Sequence, residues 1–139
     1  MELNEERLDY VKYRLEKAKD DLESSKELLV VGKYRSSLNR SYYAIFHSMR
    51  SLLATEHKDF RHHSGVISYF NQYYVKTGIF EKEFAKIVSG ASLQREKADY
   101  TDFFLATKEE AEQQYQNAEK FYNRIEEYLY QQIPQLNNR

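Results

Sequence analysis

The residues best suited to chemistry lie in one segment of the chain, Arg35 to Glu56, in which Arg40 and His47 are seven positions apart. If this segment is helical, that spacing leaves the two side chains about 20° apart around the axis and about 10 Å apart along it. An imidazole can move protons near neutral pH, and a guanidinium can stabilise charge on a phosphoryl oxygen. Arg40 and His47 are therefore the candidate catalytic residues for phosphate chemistry.

Three more polar residues, Ser36, Tyr43 and Arg50, share this face and are candidate substrate-binding or cleft residues. The same spacing also describes a surface histidine between arginines that only meets solvent or makes a tertiary hydrogen bond. Spacing alone leaves both interpretations open.

The other faces of the segment indicate how it packs. Its apolar side contains Leu38, Tyr42, Ile45, Phe46, Met49, Leu52 and Leu53. A stripe of small residues, Ser37, Ser41, Ala44, Ser48 and Ser51, allows another helix to approach closely, in the same chain or in a second copy. His47 lies away from the apolar side, so we expect its side chain to point outward and to support no core.

The rest of the chain predicts the helices that hold this segment in place. Apolar residues recur at steps of three and four, Gly32 indicates a helix end, and Thr107 with Glu110 forms a capping-box pattern. The predicted helices are 8–29, 35–56, 65–75, 81–98 and 108–132, with a loop at 59–64. No segment alternates as a strand. We expect an all-α, up-and-down antiparallel bundle of four long helices plus a shorter one.

Composition sets further limits on the class of protein. The 139 residues suit a single domain, with a polar C-terminal tail after about residue 133. The formal net charge of −1 does not indicate nucleic-acid binding overall, although a local basic patch remains open. The absence of cysteine, of a secretory signal and of a long apolar run leads us to expect a cytoplasmic protein with no membrane association.

Three strings, NRSYYAIFHSMRSLL, HHSGVISYF and REKADY, resemble the HEPN family of small helical domains of prokaryotes. The resemblance extends from about Leu8 to Leu129. The family motif is an arginine, four to six residues, and a histidine, and Arg40 to His47 matches its longest form. Two positions depart from the family pattern. Ser41 follows the arginine, where many active members have Asn, Asp or His, and Met49 lies two residues after the histidine, where some toxins have a modifiable tyrosine.

The resemblance implies a homodimer in which two copies of the motif meet in a cleft and cut RNA without a metal ion or other cofactor. His47 would help the ribose 2′-hydroxyl to attack the adjacent phosphate, and Arg40 would hold that phosphate. It also implies a toxin-like protein whose antitoxin is a minimal nucleotidyltransferase. The alternative within the same family is a non-catalytic helical module that binds a nucleotide, RNA or a partner protein.

Other groupings are interpreted as structural. His57, His62 and His63 are adjacent or nearly so, but no helically spaced set of carboxylates accompanies them, so a loop or helix-start role is favoured over a metal site. Arg95 and Asp99 predict an ion pair within one helix. Tyr100 is expected to be packed rather than catalytic.

Overall fold

The computed structural model describes residues 1–137, and its elements are helical. The five α-helices are α1 (Glu5–Val30), α2 (Tyr34–Ala54), α3 (His63–Phe70), α4 (Lys82–Tyr100) and α5 (Lys108–Gln132). A π-helical turn, Asn71–Val75, extends α3, and a 3-10 turn, Pro134–Asn137, follows α5. The predicted all-α fold of four long helices and a shorter one is confirmed.

Side-chain contacts between neighbouring helices define the chain directions. Residues late in α1 meet residues early in α2, as in the pair Asp21 and Arg40. Arg35, early in α2, donates to the Ala98 carbonyl oxygen late in α4, and Gln94, late in α4, donates to Glu110 early in α5. Each of these neighbouring pairs of long helices therefore runs antiparallel, and α2 is the helix that α1, α3, α4 and α5 all contact.

The core lies around α2, whose predicted apolar side is buried as expected. Tyr42, Ile45, Met49, Leu52 and Leu53 of this side are at most 2% exposed. They join Phe70, Phe84, Phe121 and Ile125 from the other helices in one apolar cluster. Burial of this aromatic and aliphatic surface is the main stabilising contribution to the bundle.

The stripe of small residues on α2 is used inside the chain. Ser37, Ser41, Ala44, Ser48 and Ser51 are all fully buried. The hydroxyl of Ser25 on α1 donates to the Ser37 carbonyl oxygen at 3.0 Å, and its oxygen lies 2.6 Å from the Ser41 hydroxyl oxygen. The Ser37 hydroxyl in turn donates to the Ser25 carbonyl oxygen at 2.9 Å. Because serine side chains are small, their hydroxyls can hydrogen-bond across the interface while the two helix backbones approach closely.

The helix ends follow the local signals in the sequence. Gly32 has φ +80° just after α1, a left-handed conformation that glycine adopts without steric cost. The side chain of Thr107 accepts from the Glu110 amide while Glu110 accepts from the Thr107 amide, which confirms the capping box. The predicted boundaries of α5 match the observed ones, and those of α1, α2 and α4 differ by one to three residues. The predicted helix 65–75 begins two residues after the start of α3 and ends with the π-helical turn at Val75.

Two expectations about individual segments require correction. The polar tail expected after about residue 133 is, as far as Asn137, a 3-10 turn that buries Leu136, because Ile133 and Leu136 close the end of the core. Residues 138–139 of that tail lie outside the described residues. Tyr100 is 76% exposed rather than packed, since it ends α4 beyond the last buried residue of that helix, Ala98. Within residues 1–137, no helix combines the length and apolar character that a bilayer span requires.

The core assignment predicts a large difference between two phenylalanines. Phe121 is fully buried against Phe70 and Phe84, so Phe121→Ala should lower the free energy of unfolding by about 3–5 kcal/mol. Phe103 is 92% exposed, so Phe103→Ala should change it by less than about 0.5 kcal/mol. Urea unfolding followed by circular dichroism measures both values. Similar losses in the two variants would contradict the packing of the bundle.

Candidate functional site

The candidate site is centred on a carboxylate from α1, Asp21, that lies between Arg40 and His47. An Asp21 carboxylate oxygen accepts from the Arg40 guanidinium at 2.9 Å. The other oxygen is 3.8 Å from Nε2 of His47, which is beyond hydrogen-bonding distance. The two motif residues are thus brought to one acidic group that belongs to a different helix.

His47 is partly buried, which corrects the expectation of an outward side chain. Its side chain and that of Asp21 are each 13% exposed, whereas that of Arg40 is 37% exposed. The close packing of α1 on the small residues of α2 covers this flank of the helix. Nδ1 of His47 is buried and meets no hydrogen-bond partner among residues 1–137.

The surroundings of His47 keep its imidazole neutral at pH 7. Burial is the largest cause, and the positive charges of Arg14, Arg50, Lys17 and Arg40 act in the same direction, so that the pKa falls to about 4. Burial also raises the pKa of Asp21, against the opposing influence of Arg40 and Lys17. A neutral imidazole beside several cations can accept a proton and can tolerate a nearby anion.

Of the three predicted cleft residues, Tyr43 and Arg50 lie beside His47. Ser36 lies away from His47, near the N-terminal end of α2. The Tyr43 ring centre is 6.1 Å from that of His47, and the Arg40 guanidinium carbon is 5.0 Å from the Tyr43 ring centre. Arg50 donates to Asp59 at 2.6 Å. Ser36 is exposed on a shallow surface next to Arg40, together with Asn39 and Asp99.

An aromatic cluster supports the site from the side of α3 and α4. The His63 ring stacks on Phe46 at 4.0 Å, and its Nδ1 is 2.8 Å from the Tyr42 hydroxyl oxygen. Arg95 donates to the Tyr43 hydroxyl at 3.3 Å and lies over the Tyr42 ring. Arg95 also pairs with Asp99 at 3.4 Å, as predicted. These contacts fix the orientation of the Tyr43 ring beside His47.

The three histidines outside the motif have separate surroundings. His57 accepts a hydrogen bond from Arg7, His62 precedes α3, and His63 begins that helix within the aromatic cluster. Their loop and helix-start positions agree with the structural interpretation. The contact of His63 with Phe46 was not expected from the sequence.

Sequence reasoning also missed Asp21, Arg14 and Lys17, which are the contributions of α1 to the site. A signal was present: the three residues recur at steps of three and four, the same spacing that identified the buried face of α1. That spacing shows that they share a face of α1, but it does not show which helix they lie against.

Comparison with known proteins identifies a family. The sequence profile described as "HEPN domain" matches residues 11–128. A Methanocaldococcus jannaschii protein named "Putative toxin MJ0605" is 37% identical over 127 residues, covering 91% of this chain and 94% of its own. A second protein of that organism, "Putative toxin MJ0142", is 32% identical and covers 83% of this chain and 78% of its own. The "UPF0332 protein" of Thermotoga maritima is 32% identical, with coverages of 86% and 90%.

The buried, neutral state of His47 predicts a pH dependence of stability. The pKa of His47 is about 4 in the folded chain and about 6.5 in the unfolded chain, so the unfolded chain binds more protons between these values. Stability should therefore fall as the pH falls from about 6.5 to 4. Relative to His47→Asn, the wild-type chain should lose roughly 2 kcal/mol over this range.

Urea unfolding at a series of pH values, together with NMR titration of the histidine rings, measures this effect. A His47 midpoint between pH 6 and 7, with parallel stability curves for the two chains, would contradict the described surroundings of His47.

Proposed function

This chain belongs to the HEPN domain family, and we propose that it is a metal-independent endoribonuclease with Arg40 and His47 as its catalytic residues. The single observation that carries the proposal is the convergence of Arg40 and His47 on the Asp21 carboxylate, in a half-buried site surrounded by cations. Arg40 already binds one oxygen of a carboxylate there. A phosphodiester offers the same charge and a similar arrangement of oxygens.

The proposed reaction is an internal transesterification of RNA. His47 removes the proton of a ribose 2′-hydroxyl, the 2′-oxygen forms a bond to the adjacent phosphorus, and the bond from phosphorus to the 5′-oxygen breaks. A second acid gives a proton to the leaving 5′-oxygen. The Arg40 guanidinium stabilises the charge that develops on the phosphoryl oxygens. The products are a 2′,3′-cyclic phosphate and a free 5′-hydroxyl.

The low pKa of His47 supplies the unprotonated form that the first proton transfer needs, but it also makes the free imidazole a weak base. At pH 7 the imidazole is unprotonated and can act as a base without first losing a proton. A bound phosphate would bring negative charge close to the ring and raise its pKa, because an opposite charge favours the protonated form. The same group can then hold the proton that it has accepted.

Asp21 is proposed as a positioning residue that the substrate displaces from Arg40. In the free chain it neutralises Arg40 and limits the cost of keeping several cations together around His47. A phosphate entering between Arg40 and His47 competes for the same guanidinium. The Asp21 carboxylate, once released from Arg40, would be free to approach His47, and its negative charge would favour the protonated form of the imidazole.

Each chain has one motif histidine, whereas the reaction needs a base and an acid. We therefore propose a two-fold homodimer in which His47 of one chain removes a proton while His47 of the partner subunit supplies the other. The small-residue stripe does not support this dimer, because the whole stripe is buried within the chain and Ser37 and Ser41 hydrogen-bond to Ser25 of α1. The supporting features are the proton count of the reaction and the partial exposure of Arg40.

The proposal extends to biological context in the same terms. The names of two relatives contain the word "toxin", which supports a toxin-like role for this chain. We propose that it acts in the cytoplasm and is paired with a minimal nucleotidyltransferase antitoxin.

A binding module without catalytic activity is the second candidate, and the Asp21–Arg40 ion pair favours it. A guanidinium already neutralised by a carboxylate is less available to a phosphorane than a free one. In that case the site would bind RNA, a nucleotide or a partner protein and leave the phosphodiester intact.

Cleavage assays separate the two candidates. Mixed RNA incubated with the wild-type chain in EDTA should be cut to fragments with 2′,3′-cyclic phosphate ends, with a rate that is bell-shaped in pH. Arg40→Ala and His47→Ala should each reduce the rate by at least about a hundredfold. Matched controls are Arg61→Ala and His62→Ala, whose side chains are exposed before α3. Cleavage that persists in both site variants, or that needs magnesium, would leave the binding module as the function.

The dimer is tested by mass and by subunit mixing. Light scattering at micromolar concentration should report about twice the mass of the chain. A mixed dimer of wild-type and His47→Ala chains should lose most of the wild-type rate, because either the base or the acid is missing from the shared site. A monomer that cleaves RNA at the full rate would exclude the proposed division of roles.

A further inference from the structure

Charged and aromatic residues repeat along α1 on the side that continues from Asp21. Arg7, Tyr10, Arg14, Lys17 and Asp21 follow one another at steps of three, four, three and four, so they form one row on the helix. Tyr13 lies at the edge of this row. We call Arg7, Tyr10, Tyr13, Arg14 and Lys17 the α1 strip. From Arg7 to Asp21 the row is about 20 Å long.

The tyrosines and arginines of the α1 strip form a cluster of rings and cations. The Arg14 guanidinium carbon is 5.1 Å from the Tyr10 ring centre and 5.4 Å from that of Tyr13, and Arg14 donates to the Tyr10 hydroxyl at 2.8 Å. Arg7 lies 5.7 Å from the Tyr10 ring centre. Tyr10 and Tyr13 nevertheless remain 38% and 51% exposed. Their rings therefore have surface available to a ligand.

The arginines of the α1 strip also lack carboxylate partners. Asp21 and Asp59 pair with Arg40 and Arg50 of α2, but within residues 1–137 neither Arg7 nor Arg14 forms an ion pair. Nε of each is buried without a hydrogen-bond partner in that range. Arg7 instead donates to Nδ1 of His57 at 2.5 Å. The cationic charge of the strip is therefore uncompensated by direct contacts.

The α1 strip leads to the candidate site because α1 and α2 are antiparallel. Asp21, at one end of the row, contacts Arg40, and Arg7, at the other end, contacts His57 beyond the end of α2. Arg14 and Lys17 lie between these ends, close enough to His47 for their charges to act on it. The row and the face of α2 that carries Arg40 and His47 thus lie side by side along the interface between α1 and α2, which we call the seam.

We propose that the α1 strip binds single-stranded RNA and guides it along the seam to Arg40 and His47. Tyr10 and Tyr13 stack on bases, and Arg14 and Lys17 bind phosphates. This inference rests on the proposed ribonuclease function and specifies its substrate as an extended strand of several nucleotides rather than a mononucleotide. Exposed rings alternating with cations are the combination by which proteins hold single strands without sequence preference.

Other partners fit the α1 strip less well. Duplex RNA presents its bases edge-on in stacked pairs, so it cannot use the faces of Tyr10 and Tyr13. An acidic peptide would use Arg14 and Lys17 but has no planar groups for the rings. The acidic residues Glu6, Asp9 and Asp20 are exposed on α1 outside the row, where they border the strip.

Binding is measured on the full-length His47→Ala chain, which leaves the RNA intact under the proposed mechanism. Fluorescence anisotropy follows labelled single-stranded RNA of about eight and about twelve nucleotides and a duplex of equal length. Tyr13→Ala and Arg14→Gln in this background should each weaken binding of the single strands by at least about fivefold. Lys17→Gln should lower the slope of log affinity against log salt by about 0.7. Matched controls are Tyr73→Ala and Lys19→Gln, which alter exposed residues away from the strip.

Cleavage by chains with an intact motif supplies a second readout. Tyr13→Ala should raise KM for the longer strands at least about fivefold and leave cleavage of a dinucleotide close to the wild-type rate, because a dinucleotide bound at Arg40 and His47 does not reach Tyr13. Unchanged affinity and KM in these variants would contradict the proposed role of the α1 strip in RNA binding and would leave the ribonuclease proposal intact. A change in oligomeric state by light scattering in place of a change in affinity would also contradict that role and assign the strip to an interface between copies.

The two proposals fail separately. If the α1 strip is needed to bind single strands but the wild-type chain does not cleave them, the result would support the proposed role of the strip and contradict the catalytic mechanism. The absence of both binding and cleavage would remove both.

Discussion

The seam between α1 and α2 is the constraint on which the rest of the structure depends. Ser25 of α1 and Ser37 and Ser41 of α2 satisfy one another's hydroxyls in a region from which water is excluded. Larger residues at these positions would separate the two helices or shift their register. Asp21 lies one turn from Ser25, so the register that joins the serines also delivers the carboxylate to Arg40 and His47. The packing of small polar residues and the electrostatics of the site are therefore consequences of one contact surface.

Several cations surround the partly buried side chain of His47, and this arrangement explains why its pKa is low. Burial and the charges of Arg14, Arg50, Lys17 and Arg40 all disfavour an imidazolium, which is why the pKa of His47 is low. Asp21 and Asp59 offset part of the cationic charge by pairing with Arg40 and Arg50. An anionic ligand would relieve the remaining repulsion. This electrostatic arrangement supports the proposed binding of a phosphate, and its cost in stability is offset by the aromatic core.

The rigidity of the site comes from its position between helices. Asp21, Arg40 and His47 are all in helix interiors, and the cluster of Tyr42, Tyr43, Phe46 and His63 connects α2 with α3, while Arg95 extends this connection to α4. Edge-to-face contacts with Tyr42, Phe46 and His63, and the hydrogen bond that the Tyr43 hydroxyl accepts from Arg95, leave Tyr43 little freedom beside His47. Loops contribute mainly through Asp59, which holds Arg50. In the proposed mechanism, the backbone positions of Arg40 and His47 would need little reorganisation when a substrate binds, and the main change would be the release of Asp21 from Arg40.

The sequence by itself determined the helices, their ends and the buried side of α2, because those features depend on periodicity, glycine and capping residues within a few positions of one another. It also identified the family and the motif pair, since Arg40 and His47 lie on one helix and their relation follows from helical geometry. The tertiary structure alone decided what lies opposite that pair. Asp21 and Arg14 are far from His47 along the chain, and the register of α1 against α2 depends on packing across the seam, which no local pattern specifies. The same packing turned an apparently outward histidine into a partly buried, neutral one, and it placed the small-residue stripe within the chain rather than between two chains.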